Sequence, residues 1–445
     1  MREIRKANPV LAQWGLVVTL TVMTMLAQID KNILVLMVGP IRHAFGVNDV
    51  QISFLIGAAF AVANIVVGLP AGWLADRFDR RAIIACGVVV WSLAVAANAV
   101  AASFAALVLA RVVVGGAEAM IPPASYSLIR DGVDEARRAR ALSVYTMALM
   151  LGTGLSLVLG GPLIGALQVS GWHALPLVGD VAAWQMALLL IGVVGLPIGL
   201  TIFLNRDPGR HGGEASTVAQ DARLRAVLRM LWAQRGVFGP LLLFVIGNAM
   251  ITYGLAAWVP TMVIRRFSLG IKEFGLAQGA LMLTAGPVGL WLAGTCMQRR
   301  QIAASLTRVA SVGIVASAAV TALTVSLVLA GSLSTFWAFD ALVVLCSWTF
   351  MSVASVIVAR TVPSQSVGLV MAIVLVLNGL VGQGLSPTVI ALVERHIFGD
   401  LPQALPHAMA VVFAVTGLLA TAAATLMRRN LARDARLPVS ARTFA

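Results

Sequence analysis

Twelve apolar stretches, each near the length that crosses a bilayer, leave this chain few folds to choose from. They run over residues 12–37, 50–72, 82–102, 104–126, 141–168, 181–204, 238–263, 274–297, 303–330, 335–360, 367–393 and 405–427. A hydrocarbon core of about 30 Å needs about twenty helical residues at ~1.5 Å each. Backbone N–H and C=O groups find no water in lipid, so only helices and closed barrels span it. These runs are continuously apolar rather than alternating, which predicts helices. The 445 residues are 60% hydrophobic and 11% charged, where a soluble protein carries about a quarter charged residues. A soluble multidomain enzyme is excluded on that ground.

The net charge of +14 invites a nucleic-acid reading, which placement removes. With the N-terminus inside, 25 of the 32 Lys and Arg fall in inner segments, five in outer segments, and Lys31 and Arg111 within spans. This bias predicts that both termini are cytoplasmic and leaves no charge for nucleic acid to explain. The start, from Met1 to Lys6, is basic like the head of a signal peptide. The apolar run after it is too long for a cleaved leader and is read as a retained first helix. Cys86, Cys296 and Cys346 lie within apolar runs with no CxxC pair and read as small apolar side chains.

The longest polar stretch divides the chain into an N-terminal six-helix bundle (1–204), a cytoplasmic linker (205–237) and a C-terminal six-helix bundle with a cytoplasmic tail (238–445). Within the linker, Asp221–Trp232 reads as an amphipathic helix at the inner membrane surface, with Leu224, Val227, Leu228 and Leu231 on one side. The halves read as weak parallel repeats. The glycines of the fifth run answer Gly379, Gly382 and Gly384 of the eleventh, and the loop Gly72–Arg81 has an echo at Gly294–Arg300 that lacks the aspartate. Six-plus-six repeats are a transporter architecture.

Asp30, Lys31, Arg111 and Glu118 sit inside apolar runs, where a charge costs about 2.5–3.5 kcal/mol or more. Arg111 and Glu118 are seven residues apart, almost two turns, so they share a helix face about 10 Å apart along the axis. Asp30 and Arg111 are expected at similar depth, with Glu118 deeper. If the first and fourth helices face each other, two acids and two bases share one cavity. Asp30, Glu118 and Arg111 are then candidates for proton coupling, against a static, mutually neutralised cluster that only positions helices. The pairing is not legible from spacing.

The inner loop Gly72-Trp-Leu-Ala-Asp76-Arg77-Phe-Asp79-Arg80-Arg81 reads as a conformational latch. Gly72 permits close helix approach, Asp76 caps a neighbouring helix N-terminus, and Arg80 and Arg81 anchor to phosphates or carboxylates. Ordinary positive-inside charge is the competing account of its arginines. Gly152, Gly154, Gly160, Gly161, Pro162 and Gly165 crowd the fifth run, suited either to rocking or to tight packing. The second half lacks a matching charge cluster. Asn248, Thr252, Tyr253, Trp348 and Asn378 are its candidates for substrate contact, with Lys31 and Arg111 from the first half. Asp340 reads as hydrated near the outer surface. The histidines show no metal-ligand spacing, and no phosphate-binding glycine motif appears, so neither cofactor, metal nor catalytic residue is expected.

These residues resemble the major facilitator superfamily, through Gly72–Arg81 and the fourth-helix segment Arg111-Val-Val-Val-Gly115. Within it the chain is similar to the bacterial spinster-like transporters. Asp30-Lys31-Asn-Ile-Leu, Pro40-Ile41, Leu69–Arg81, Trp91-Ser92-Leu93, Arg111–Ala119, Pro123–Ile129 and Arg140–Tyr145 carry that likeness. It implies a rocker-switch secondary transporter, proton-linked, with an amphipathic lipid such as a lysophospholipid or sphingoid phosphate as substrate. The reading that follows is a monomer in a bacterial inner membrane that moves an amphipathic organic anion or lysolipid. Asp30 and Glu118 would handle the proton. Lys31 stands where the family usually has arginine, keeping the charge but losing the bidentate fork. A small-carboxylate/proton symporter, a multidrug/proton antiporter and a non-transporting membrane sensor are the rival readings.

Overall fold

The computed structural model describes residues 9–170, 174–175, 179–209, 217–399, 401 and 403–434. His173, His211, the linker residues 210–216 and the tail 435–445 lie outside the described residues.

Among the described residues, twelve helices are long and apolar enough to cross a membrane: Val10–Phe45, Asp49–Gly68, Arg80–Ala99, Phe104–Gly132, Glu135–Ser170, Ala183–Leu204, Arg235–Phe267, Ile271–Gln298, Leu306–Val328, Leu333–Thr361, Ser364–Phe398 and Ala404–Arg433. They are numbered below as spans 1 to 12. Each expected apolar run falls on one of them, often with an extra turn beyond the apolar limit. Local sequence sets several starts. Asp79, Ser103, Ser305 and Ser332 accept a backbone N–H from the first turns of spans 3, 4, 9 and 10, satisfying donors that the helix leaves orphaned.

The chain divides into two compact units, Met1–Glu214 with Leu269–Leu283, and Ala215–Ser268 with Thr284–Ala445. The first half of span 8, up to Leu283, therefore belongs with the first unit. There it meets span 5 backbone to backbone. A Cβ at Gly275 would lie 2.6 Å from the Leu157 carbonyl oxygen, and one at Gly161 would lie 3.0 Å from the Gly275 Cα. Only glycines allow that approach. Gly152 and Gly160 of the same helix face span 1, against Gln28 and Ile33.

In the first unit, span 1 packs on span 5, span 3 on span 6, and spans 3 and 4 on each other. In the second, span 7 packs on span 11, span 9 on span 12, and spans 9 and 10 on each other. The pairing recurs six spans later, as parallel repeats require. The linker helix is Thr217–Ala233. Val227, 2% exposed, enters the core of the second unit with Met230 and Leu231 against it, beside Val237, Met427 and Leu431. The four apolar residues expected on one side are thus divided, since Leu224 and Leu228 remain exposed.

Candidate functional site

The sequence places Asp30 and Lys31 in span 1 and Arg111 and Glu118 in span 4, and the fold of the first unit brings them together. Asp30 Oδ2 accepts from Arg111 Nη1 at 3.1 Å and from Trp91 Nε1 at 3.2 Å. Arg111 Nη2 also donates to the Lys31 carbonyl oxygen at 3.4 Å. Asp30 and Arg111 are 1% and 2% exposed. Spans 1, 3 and 4 are therefore tied at one buried carboxylate. Span 5 adds a fourth link, Ser156 Oγ to the Ile29 carbonyl at 2.8 Å.

Span 2 supplies the floor. The buried Phe60 ring lies 5.1 Å from Lys31 Nζ and 4.9 Å from the Arg111 guanidinium carbon, measured to its centroid. An aromatic face attracts a cation without neutralising it, so one ring lies beside two cations. Phe60 is itself pinned by span 4. A Cβ at Gly115 would lie 2.5 Å from the Phe60 carbonyl oxygen, and Asn64 donates to the Gly115 carbonyl at 3.1 Å.

Glu118 lies within the electrostatic reach of Asp30, Arg111 and Lys31. It forms no ion pair among the described residues, and its buried Oε1 has no hydrogen-bond partner. The cluster thus holds one bonded carboxylate, one unbonded carboxylate and two cations. This is the pairing that spacing left open.

At the loop between spans 2 and 3, Arg80 is 1% exposed. Its Nη1 reaches Asp131 at 2.5 Å and Ser127 Oγ at 3.1 Å, while Nη2 reaches Asp207 at 2.5 Å and the Gly209 carbonyl at 2.8 Å. One guanidinium therefore ties the start of span 3 to the end of span 4 and to the segment after span 6. Arg81 pairs with Asp79 at 2.9 Å and donates to the Asn205 carbonyl at 3.1 Å. Its hydrogen bond holds the Asp79 carboxyl below the usual carboxylate range. Arg77 stacks on Trp73 at 4.3 Å. Asp76 is exposed and feels the charge of Arg130. A Cβ at Gly72 would meet nothing within 4 Å, so no neighbour of the first unit uses the space it leaves.

In the second unit, Asn248 Nδ2 donates to Ser317 Oγ at 2.9 Å and to the Phe244 carbonyl at 2.8 Å, and Thr252 donates to the Asn248 carbonyl at 3.0 Å. Asn378 opens a π-helical stretch, Asn378–Leu385. Its Nδ2 donates to Tyr253 Oη at 3.4 Å, and its buried Oδ1 has no hydrogen-bond partner among the described residues. Trp348 is 38% exposed and stands apart from these contacts. Asp340, expected to be hydrated, is 4% exposed. Its helix, Leu333–Ser347, turns that side inward, a rotation that apolarity on all sides conceals in the sequence.

Sequence reasoning passed over Phe60 and Trp91 as site residues, and Asp131 and Asp207 as the partners of Arg80. Aromatic residues in apolar runs carry no signal of a buried charge beside them. The two aspartates are legible in the sequence only as acids among basic segments between the apolar runs.

Residues 20–387 match the profile of the family described as the Major Facilitator Superfamily. An "MFS-type efflux pump" of Mycolicibacterium smegmatis is 26% identical over 290 residues, covering 64% of this chain and 62% of that protein. The "Sphingosine-1-phosphate transporter SPNS2" of Mus musculus is 28% identical over 232 residues, covering 51% of this chain and 39% of that protein. The alignments thus span less than two thirds of either relative. Among solved structures, a bacterial homolog to the human lysosomal transporter spinster, inward-facing and unoccupied, superposes with a TM-score of 0.82. It is 21% identical and covers 95% of this chain and 98% of that one.

Proposed function

Because this chain belongs to the Major Facilitator Superfamily, a family of multi-pass membrane transporters, we propose that it is a proton-coupled secondary transporter of an amphipathic organic anion of lysolipid type. The observation that carries this reading is the buried cluster of spans 1 and 4. Asp30 Oδ2 is engaged by two donors, whereas Glu118 is a buried carboxylate with no ion partner among the described residues. A group in that position changes charge with the least disruption when it gains or loses a proton, and Glu118 is the carrier in this account. Lys31 and Arg111, held on Phe60, supply positive charge that Asp30 only partly answers. They attract the anionic headgroup. In the second unit, taken by itself, Asn248, Thr252, Tyr253, Trp348 and Asn378 are the candidates for contact with the apolar part of a substrate. The likeness to a sphingosine-1-phosphate transporter supports an anionic lipid as the cargo class.

The chain works as a monomer in a bacterial inner membrane with both termini in the cytoplasm, following the arginine bias. Gly72, Asp76, Arg77, Arg80 and Arg81 form the latch that stabilises one conformation of a rocker switch. Chemistry on the substrate is not part of this reading.

The test is ligand stabilisation in nanodiscs, where a ligand of the folded state raises apparent stability by mass action. Lysophospholipids are compared with small carboxylates and cationic drugs on wild type and Lys31→Ala. Stabilisation by lysolipids that disappears in Lys31→Ala is expected. Stabilisation by small carboxylates alone would move the assignment to a symporter. The likeness to an efflux pump favours one second reading, a multidrug/proton antiporter, for which cationic drugs would stabilise both proteins equally.

A further inference from the structure

Carboxylates answer some of the arginines at the linker end of the first unit and, among the described side chains, none at that of the second. In the first unit, Arg80, Arg81, Arg130 and Arg137 are paired to carboxylates, whereas Arg77, Arg140 and Arg206 are exposed and make no ion pair among the described residues. In the second, Arg225, Arg229, Arg299, Arg300, Arg428 and Arg429 are exposed, and none pairs with a carboxylate among the described side chains, which exclude those of residues 217–223 and 434. Where arginines are held at this end, backbone carbonyls hold them: Arg308 donates to the Gln301 carbonyl and Arg360 to the Ala303 carbonyl. A carbonyl orients a guanidinium but leaves its charge uncompensated.

The same end carries an unpartnered apolar edge. Val227, Met230 and Leu231 fix the linker helix to the core of the second unit. Leu224, Leu228 and Trp232, one helical turn apart, are 39%, 50% and 74% exposed. Arg225 and Arg229 follow them on the next edge of the helix, one residue further round at each turn. Arg235 closes the row, its guanidinium 5.9 Å from the Trp232 ring. Leu and Trp beside Arg on one helix is the pattern of an element lying in a membrane interface, apolar edge toward the acyl chains and cations at the phosphates. The other exposed arginines lie on span 12 (Arg428, Arg429) and just past span 8 (Arg299, Arg300). Span 12 reaches this place through Asn430, which donates to the Gly236 carbonyl at 2.6 Å, and span 8 through Met297 in the same core.

We propose that the linker end of the second unit binds anionic phospholipid headgroups of the leaflet it faces. Leu224, Leu228 and Trp232 seat the linker helix among the upper acyl chains, and the unpaired arginines of the linker helix, of span 12 and just past span 8 hold the phosphates. Charge complementarity selects the occupant: an uncompensated cationic surface at membrane depth, next to an apolar edge, matches a molecule that is anionic at one end and apolar at the other. The proposal stands independently of what the protein transports.

The test uses the full chain in phosphatidylcholine nanodiscs with and without phosphatidylglycerol. The unfolding temperature is measured, and retained lipid is counted by native mass spectrometry. Wild type is expected to retain phosphatidylglycerol preferentially and to melt higher in its presence, by a margin that shrinks as salt screens the charges. Arg225→Gln/Arg229→Gln/Arg299→Gln/Arg300→Gln is expected to melt unchanged in pure phosphatidylcholine and to lose its preference for phosphatidylglycerol by about tenfold or more. Leu224→Ser/Trp232→Ser, which keeps every charge, is expected to lose part of the thermal gain. A quadruple variant that retains wild-type preference would overturn the proposal, because the lipid would then be bound elsewhere. A double variant with the full thermal gain would remove the helix edge from it. If soluble glycerol phosphate in phosphatidylcholine discs reproduces the gain, the site is one for a free anion, and the lipid assignment fails.

Discussion

Arg111 Nη1 and Asp30 Oδ2 stand 3.1 Å apart on side chains that are 2% and 1% exposed. Burying the pair is near neutral, because desolvation offsets attraction; losing one partner is not. Arg111→Ala should therefore lower stability by about 3–5 kcal/mol, while Asp30→Asn/Arg111→Ala, which leaves no orphaned charge, should recover part of that loss. Denaturation in matched nanodiscs reads both. If the double variant is as unstable as the single one, packing rather than charge holds these spans together.

Glu118→Gln preserves size and hydrogen-bonding capacity but cannot release a proton. Since Glu118 makes no ion pair among the described residues, the folded protein should keep its melting temperature within a few degrees. Flux driven by a pH gradient in proteoliposomes should disappear, while exchange of substrate across the membrane without a gradient persists. Undiminished pH-driven flux would remove Glu118 from the coupling role.

Arg80 spans two carboxylates with its two terminal nitrogens. Lysine keeps the charge and loses the fork, so Arg80→Lys should cost about 1.5–3 kcal/mol, the worth of one hydrogen bond to a charged group. Asp76 is exposed and should behave differently. Asp76→Asn should leave stability unchanged yet shift the ratio of inside to outside accessibility of single-cysteine probes. An unchanged ratio would count against the latch.

Asp79 titrates outside the spans. Its carboxyl is held below the usual range, first by the hydrogen bond from Arg81. A depressed carboxylate stabilises the fold above its unfolded pKa of about 4, and this contribution is lost as pH falls through the folded value. The melting difference between wild type and Asp79→Asn should be constant from pH 7 to about 5 and narrow below about 4. A difference that is flat throughout would mean that the cap alone stabilises span 3, without its charge.

Most of the architecture was legible because a membrane makes one property decisive. Each run near twenty apolar residues had to be a helix, and each expected run lies on a helix of the structure. Interruptions inside spans were not legible, such as the π-helical stretch opening at Asn378. They depend on how a neighbour, here Tyr253 at 3.4 Å, takes up a backbone group. For the site, residue types and helix faces could be read, whereas partners could not. Asp30 and Trp91 are 61 residues apart, and Arg80 and Asp207 are 127 apart. No periodicity relates residues on different helices, and the apolar surface of a span conceals which side turns inward, as Asp340 illustrates.

By itself the sequence determined that this chain lives in a bilayer, how many times it crosses, and that charge is buried on spans 1 and 4. Hydropathy and the cost of an intramembrane charge act residue by residue, and both can be read along a line. Only the tertiary structure decided that Arg111 answers Asp30, that Phe60 lies beside two cations, and that Glu118 has no ion partner among the described residues. Those outcomes depend on helix rotation and on approaches permitted by glycines such as Gly115, which distances between helices fix and sequence separation does not.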